Sequence, residues 1–232
     1  MRLLLALLVP LFALAAPTVE PIPAFAPGSR ILFQGDSITD GNRGRSADPN
    51  HILGHGYAFI IAAKHGAAFP DARLEFFNRG VSGNTVLDLE RRWQKDTLDL
   101  KPDVLSILIG VNDRGRVPIE QYEQVYDKLL TDARAANPQL KLVLCEPFTV
   151  DHKAATPQRG SPSADIVKRQ GIVAQLAQKH GAVLQPRIVR VLLQSPIDEV
   201  KCLEQLGEGD QLAIVDQLVD LVEAFAAIHG GA

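Results

Sequence analysis

Gly35-Asp36-Ser37-Ile38-Thr39-Asp40-Gly41 follows the short apolar run Ile31-Leu32-Phe33, which sets a serine just past the carboxyl end of a predicted strand. In an open α/β sheet that is where ligands bind and chemistry is done. Glycines at both ends of the heptapeptide allow a sharp turn, and a helix beginning after Ser37 would aim free backbone N–H groups at whatever the serine attacks. Ser37 is therefore a candidate nucleophile. A Gly-Asp-Ser run also suits an ordinary turn capped by its own Asp or Ser side chain, so the decision passes to the rest of the chain.

Two more segments repeat the strand-turn-helix pattern. Residues 74–77 read as a second strand that runs into Asn78-Arg79-Gly80-Val81-Ser82-Gly83-Asn84-Thr85, followed by helical spacing over 86–98. Residues 104–109 are continuously apolar, as expected of a parallel strand covered on both faces, and end in Gly110-Val111-Asn112-Asp113. Helices over 56–68, 119–136 and 165–180 and strands over 141–145 and 182–184 continue the alternation. A last helix is expected over 211–227. Residues 42–55 and 146–162 are too rich in polar and turn-forming residues for regular structure and read as loops. Beyond Gln185 the pattern weakens, since 188–193 fits strand or helix and Pro186 and Pro196 interrupt both. The alternation argues for an α/β fold: a three-layer, doubly wound, mostly parallel five-stranded sheet of flavodoxin type. Three strand ends would then bring Ser37, Gly83 and Asn112 to one rim.

The chain has 232 residues, 46% hydrophobic and 22% charged, enough for one substantial domain, placed at residues 29–232. Its net charge of −3 gives no electrostatic case for nucleic acid or an anionic membrane. Met1-Arg2, an apolar stretch over 3–14 and the small residues Ala13-Leu14-Ala15-Ala16 have the form of a secretory signal peptide over 1–16, so the mature protein is expected outside the cytoplasm, secreted or periplasmic. The apolar stretch is short for a membrane span and contains Pro10, so no stable span is expected in the mature chain. Residues 17–28, with prolines at 17, 21, 23 and 27, read as an extended linker. Cys145 ends a predicted buried strand, so Cys145 and Cys202 are expected as free thiols. Neither Gly-x-x-x-x-Gly-Lys nor Gly-x-Gly-x-x-Gly occurs, and no nucleotide or flavin cofactor is expected.

In order and spacing, Gly35-Asp36-Ser37, Gly80-Val81-Ser82-Gly83-Asn84 and Gly110-Val111-Asn112-Asp113 resemble the first three sequence blocks of the SGNH hydrolases, the GDSL esterase/lipase family, and in particular its bacterial carbohydrate acetylesterase-like members. The resemblance runs over residues 31–146 and more loosely to 184. It implies a serine ester hydrolase that removes a small acyl group, such as acetyl from a carbohydrate, through an acyl-enzyme on Ser37, without cofactor or metal. The substrate would be a small-molecule or glycan ester. By the same resemblance the oxyanion hole would comprise the Ser37 N–H, the Gly83 N–H and the Asn112 side-chain amide, while Asp36 and Asp113 would support turns.

The family's Asp-x-x-His block ahead of the last helix has no match. Its nearest counterpart is Asp198-Glu199-Val200-Lys201-Cys202, with Asp198 in the place of the orienting carboxylate and Lys201 where the base belongs. Candidates for the proton acceptor are Lys201, if desolvation lowers its pKa, and the loop histidines His55 and His152. His180 and His229 fall at helix ends, where the helix dipole accounts for a histidine. The missing block leaves open an alternative reading, a catalytically impaired protein of the same fold that binds carbohydrate or another ligand.

Overall fold

A computed structural model describes residues 21–46, 51–148 and 164–185. Five strands, β1 (Arg30–Gly35), β2 (Glu75–Asn78), β3 (Val104–Leu108), β4 (Lys141–Cys145) and β5 (Val183–Gln185), form one sheet in the order β2-β1-β3-β4-β5. All four pairings are parallel, as the alternation with helices required. The helices are the short α1 (Ser37–Asp40), then α2 (Tyr57–Ala68), α3 (Val86–Asp96), α4 (Ile119–Ala136) and α5 (Ala164–His180).

Side-chain alternation along the strands sorts the core into two layers. Leu32, Leu105, Ile107, Leu142 and Leu144 face α3, α4 and α5, where they meet Leu89, Trp93, Tyr122, Tyr126, Leu129, Val173 and Leu176. Ile31, Phe33, Val104, Leu108, Val143 and Cys145 face the other way, toward Tyr57, Ala58 and Ile61 of α2. Full burial of such aliphatic side chains stabilises by roughly 1.5–3 kcal/mol each. The helix foreseen at 211–227 and the ambiguous stretch 188–193 lie outside the described residues.

One expectation needs correction. Over residues 21–28 the proline-rich segment belongs to the domain and is not an extended linker, because Ile22, Ala24 and Phe25 are buried in the layer beneath α2. Two short turns, Phe25 N–H to the Ile22 carbonyl at 2.8 Å and Ser29 N–H to the Ala26 carbonyl at 2.9 Å, bend the prolines around these apolar side chains. The proposed leader over 1–16 lies outside the described residues. Cys145 is a buried free thiol, raised to about 12 by burial. Among the described residues no helix is long and apolar enough to cross a membrane.

Candidate active site

The strand order puts β1 between β2 and β3, so the turns that follow these three strands are neighbours in space although far apart in sequence. After β1 the chain turns at Asp36, whose carboxylate accepts the Ile38 N–H at 3.0 Å and caps α1. Ser37 is the first residue of that helix and is exposed. Its hydroxyl and N–H have no partner among the described residues, as suits a group kept for a ligand.

The turn after β2 is stitched onto α1. Asn78, at the end of β2, is buried; its amide donates to the carbonyls of Thr39 at 2.6 Å and Leu53 at 2.8 Å, and its oxygen accepts the Gly80 N–H at 2.9 Å. Asp40, the last residue of α1, accepts both the Ser82 N–H at 2.9 Å and the Ser82 hydroxyl at 2.7 Å, as well as Arg45 at 2.7 Å. Burial by itself would raise the Asp40 carboxyl, but the donors Arg45, Ser82 and Arg43 outweigh it and hold the group at about 2. Gly80 is needed for this contact, since a Cβ there would stand 2.3 Å from the Asp40 nitrogen. Gly83 is needed for another reason. Its φ is +81°, which L side chains rarely adopt, while nothing lies within 4 Å of the place a Cβ would take.

The loop after β3 completes the rim. The Asn112 amide donates to the Asn84 carbonyl at 3.1 Å, which uses one of its two N–H groups and leaves the other free. Asp113, fully buried, accepts the Val86 N–H at 2.9 Å at the start of α3. Arg116 donates to the Gly83 carbonyl at 3.1 Å, and Arg169 of α5 donates to the carbonyls of Asp113 at 3.2 Å and Val117 at 2.7 Å. Burial lifts the Asp113 carboxyl to about 6 and the Asp36 carboxyl to about 7; for Asp36 the nearby Asp113 charge adds to the effect while the Ile38 N–H opposes it. Both aspartates thus serve the turns, as expected.

The turns that carry Ser37, Gly83 and Asn112 therefore follow three adjacent strands, with the exposed Ser37 in the first of them. A serine hydroxyl set among N–H donors can receive a carbonyl carbon, with the carbonyl oxygen taken up by the donors. The proton acceptor is less simply placed. The His55 backbone N–H donates to the Gly41 carbonyl at 2.7 Å, which sets its loop beside the Ser37 turn, but its exposed ring pairs with His51 at 3.0 Å. His180 is bound to Asp127 at 2.7 Å, a structural partner that adds to its helix-end position. His65 is buried against Phe25 and Phe69, which lowers it to about 4. His152, Asp198 and Lys201 lie outside the described residues. No group of three or more metal-ligating side chains occurs among the described residues.

Sequence reasoning missed Asp40, Asn78 and Arg92, which bind the turns to one another. Asp40 and Asn78 stood inside the quoted motifs, and two polar residues flanking turns at adjacent strand ends were the available signal.

A family model described as GDSL-like lipase/acylhydrolase matches residues 33–199. An acetylxylan esterase from Geobacillus stearothermophilus is 34% identical over 146 residues, an alignment covering 57% of this chain and 65% of that esterase, so the chain spans just under two thirds of this relative. The crystal structure of an acetylxylan esterase from the same organism superposes with a TM-score of 0.68 at 26% identity, covering 90% of this chain and 97% of the other. An alpha/beta hydrolase enzyme from the metagenome of Lake Arreo, Spain, superposes with a TM-score of 0.69 at 28% identity, covering 89% and 99%.

Proposed function

Because the chain belongs to the GDSL-like lipase/acylhydrolase family, we propose that it is an exported serine ester hydrolase that removes a small acyl group, acetyl on a carbohydrate in the first instance. The observation that carries this reading is the meeting of an exposed Ser37 with the Gly83 and Asn112 turns at three adjacent strand ends. The similarity to an acetylxylan esterase supports the choice of acyl group and of a glycan carrier. The apolar leader supports export.

In this reaction Ser37 Oγ attacks the ester carbonyl carbon as its proton passes to the base. The negative charge that develops on the carbonyl oxygen is received by the Ser37 N–H, the Gly83 N–H and the free N–H of Asn112. Such preorganised donors cost no reorganisation when charge appears, and removing one lowers kcat by about 10²–10³-fold in comparable sites. The carbon–oxygen bond to the sugar then breaks, the alkoxide takes the proton from the base, and water hydrolyses the acyl-Ser37 by the same steps. His55, His152 and Lys201 are the residues assigned to trial as base, with Asp198 as orienter.

The test is hydrolysis of p-nitrophenyl acetate and of acetylated xylan by the mature chain, with Ser37→Ala as background. The expected result is a rate that falls by about 10³-fold or more in Ser37→Ala, with acetate released from the glycan. Equal rates in the two proteins overturn the esterase reading, and binding of acetylated xylan without turnover would put a carbohydrate-binding protein in its place.

A further inference from the structure

Arg92 of α3 has a side chain only 16% exposed, and its guanidinium touches all three turns of the rim directly or through one residue. Nε donates to Asn84 Oδ1 at 2.9 Å. Nη1 donates to Gln34 Oε1 at 2.8 Å and to the Arg79 carbonyl at 2.7 Å, and it stands 3.3 Å from Asp96. Nη2 donates to the Gly35 carbonyl at 3.2 Å, the peptide just ahead of Asp36-Ser37. Asn84 carries the chain of contacts on, because its own carbonyl accepts from the Asn112 amide at 3.1 Å. An ion pair with Asp96 alone would satisfy the charge. The other contacts go to Gln34, the Gly35 and Arg79 carbonyls and the Asn84 side chain, whose residue joins Gly83 to Asn112.

We propose that Arg92 is a positioning residue for the oxyanion donors, acting through Asn84 to hold the Asn112 amide and the Gly83 turn in register with Ser37. The part of this that concerns turnover rests on the esterase reading; the orientation of Asn112 does not. A guanidinium is a planar fork with fixed donor directions. Anchoring it on Gly35 and Arg79 therefore fixes where Asn84 Oδ1 must lie, and with it the Asn84 peptide whose carbonyl aligns Asn112. A lysine keeps the charge but is a single ammonium and cannot reproduce the fork.

The experiment compares the parent with Arg92→Lys, Asn84→Ala and the double variant, in two readouts. The first is the Asn112 side-chain amide signal in ¹⁵N-labelled protein, identified by its loss in Asn112→Ala. The second is the separate kcat and KM for p-nitrophenyl acetate. Both single variants are expected to shift the Asn112 signals and speed their exchange with water about tenfold, and to lower kcat by roughly 30–100-fold, as small misplacements do, with KM changed by less than about threefold. The double variant is expected to be no worse than the worse single, because the residues act in series. Folded Arg92→Lys with unchanged Asn112 signals overturns the proposal, as do kcat losses that multiply in the double variant. If Arg92→Lys fails to fold, Asn84→Ala decides, since it leaves the Arg92 contacts to Gly35 and Arg79 in place: unchanged Asn112 signals there overturn the proposal. If the parent shows no Ser37-dependent hydrolysis while the Asn112 signals respond, the esterase reading falls and the positioning role stands.

Discussion

The two ends of helix α1 carry aspartates four positions apart in opposite electrical states. Asp40 at its carboxyl end receives the Ser82 N–H, the Ser82 hydroxyl and Arg45 on one oxygen and the Arg43 N–H on the other, and it stays ionised down to about 2. Asp36 at the amino end has one oxygen on the Ile38 N–H and the other buried without a partner among the described residues, and it is lifted to about 7. Asp113 across the rim shares that state, with one oxygen on the Val86 N–H and the other unpartnered among the described residues. The side of the rim toward β2 is thus assembled by a satisfied carboxylate, and the side toward β3 by carboxyls whose ionisation is resisted. A satisfied buried charge locks a turn; a half-satisfied one makes the turn respond to pH.

The largest expected effect comes from breaking the locked side. Asp40→Ala removes the carboxylate that accepts from Ser82 and pairs with Arg45 and Arg43, so stability should fall by about 3 kcal/mol, and kcat by about 10²-fold as the Gly83 turn drifts. Urea unfolding and steady-state kinetics measure the two. Gly80→Ala attacks the same junction from the other partner by inserting a methyl group 2.3 Å from the Asp40 nitrogen; a loss of roughly 1–3 kcal/mol is expected, and a gain or no change would show the turns are not in contact. For Gly83→Ala the space is open and only the positive φ is unfavourable, so about 1 kcal/mol is expected.

Titration sharpens the contrast. The Asp36 and Asp113 carboxyls lie above their ordinary value in the folded chain, so the stability they contribute is complete below about pH 4 and is lost as pH rises toward 7. Asp40 lies below its ordinary value, so its contribution is present above about pH 4 and is lost as pH falls through about 2. Asp36→Asn should therefore flatten the decline between about pH 4 and 7 by a few kcal/mol at most and leave the limb below it, set by Asp40, alone. Unfolding free energies across pH 3–8 check this, and an unchanged alkaline slope would remove Asp36 from the explanation.

The parallel sheet and the meeting of three turns were legible in the sequence because both depend on local signals: apolar strands, glycines and the Ser37, Gly83 and Asn112 turns at their ends. Arg92 was not, since a cation on an amphipathic helix normally faces water, and only the tertiary fold shows its side chain turned under the β1 and β2 turns. Ile22 and Phe25 were hidden by the prolines around them, whose composition suggests a linker while the two apolar side chains anchor the segment. The base was not legible because the Asp-x-x-His block has no match after Gln185, where Lys201 stands in the place of the histidine.

The most direct test of the proposed site is intact-mass and peptide mapping after exposure to a fluorophosphonate, with the labelling rate compared in Asn112→Ala. The predicted result is a single adduct on Ser37, formed about 10²-fold more slowly without the Asn112 amide. Labelling elsewhere, no labelling, or a rate indifferent to Asn112 would contradict a Ser37 nucleophile served by the donors of the two neighbouring turns.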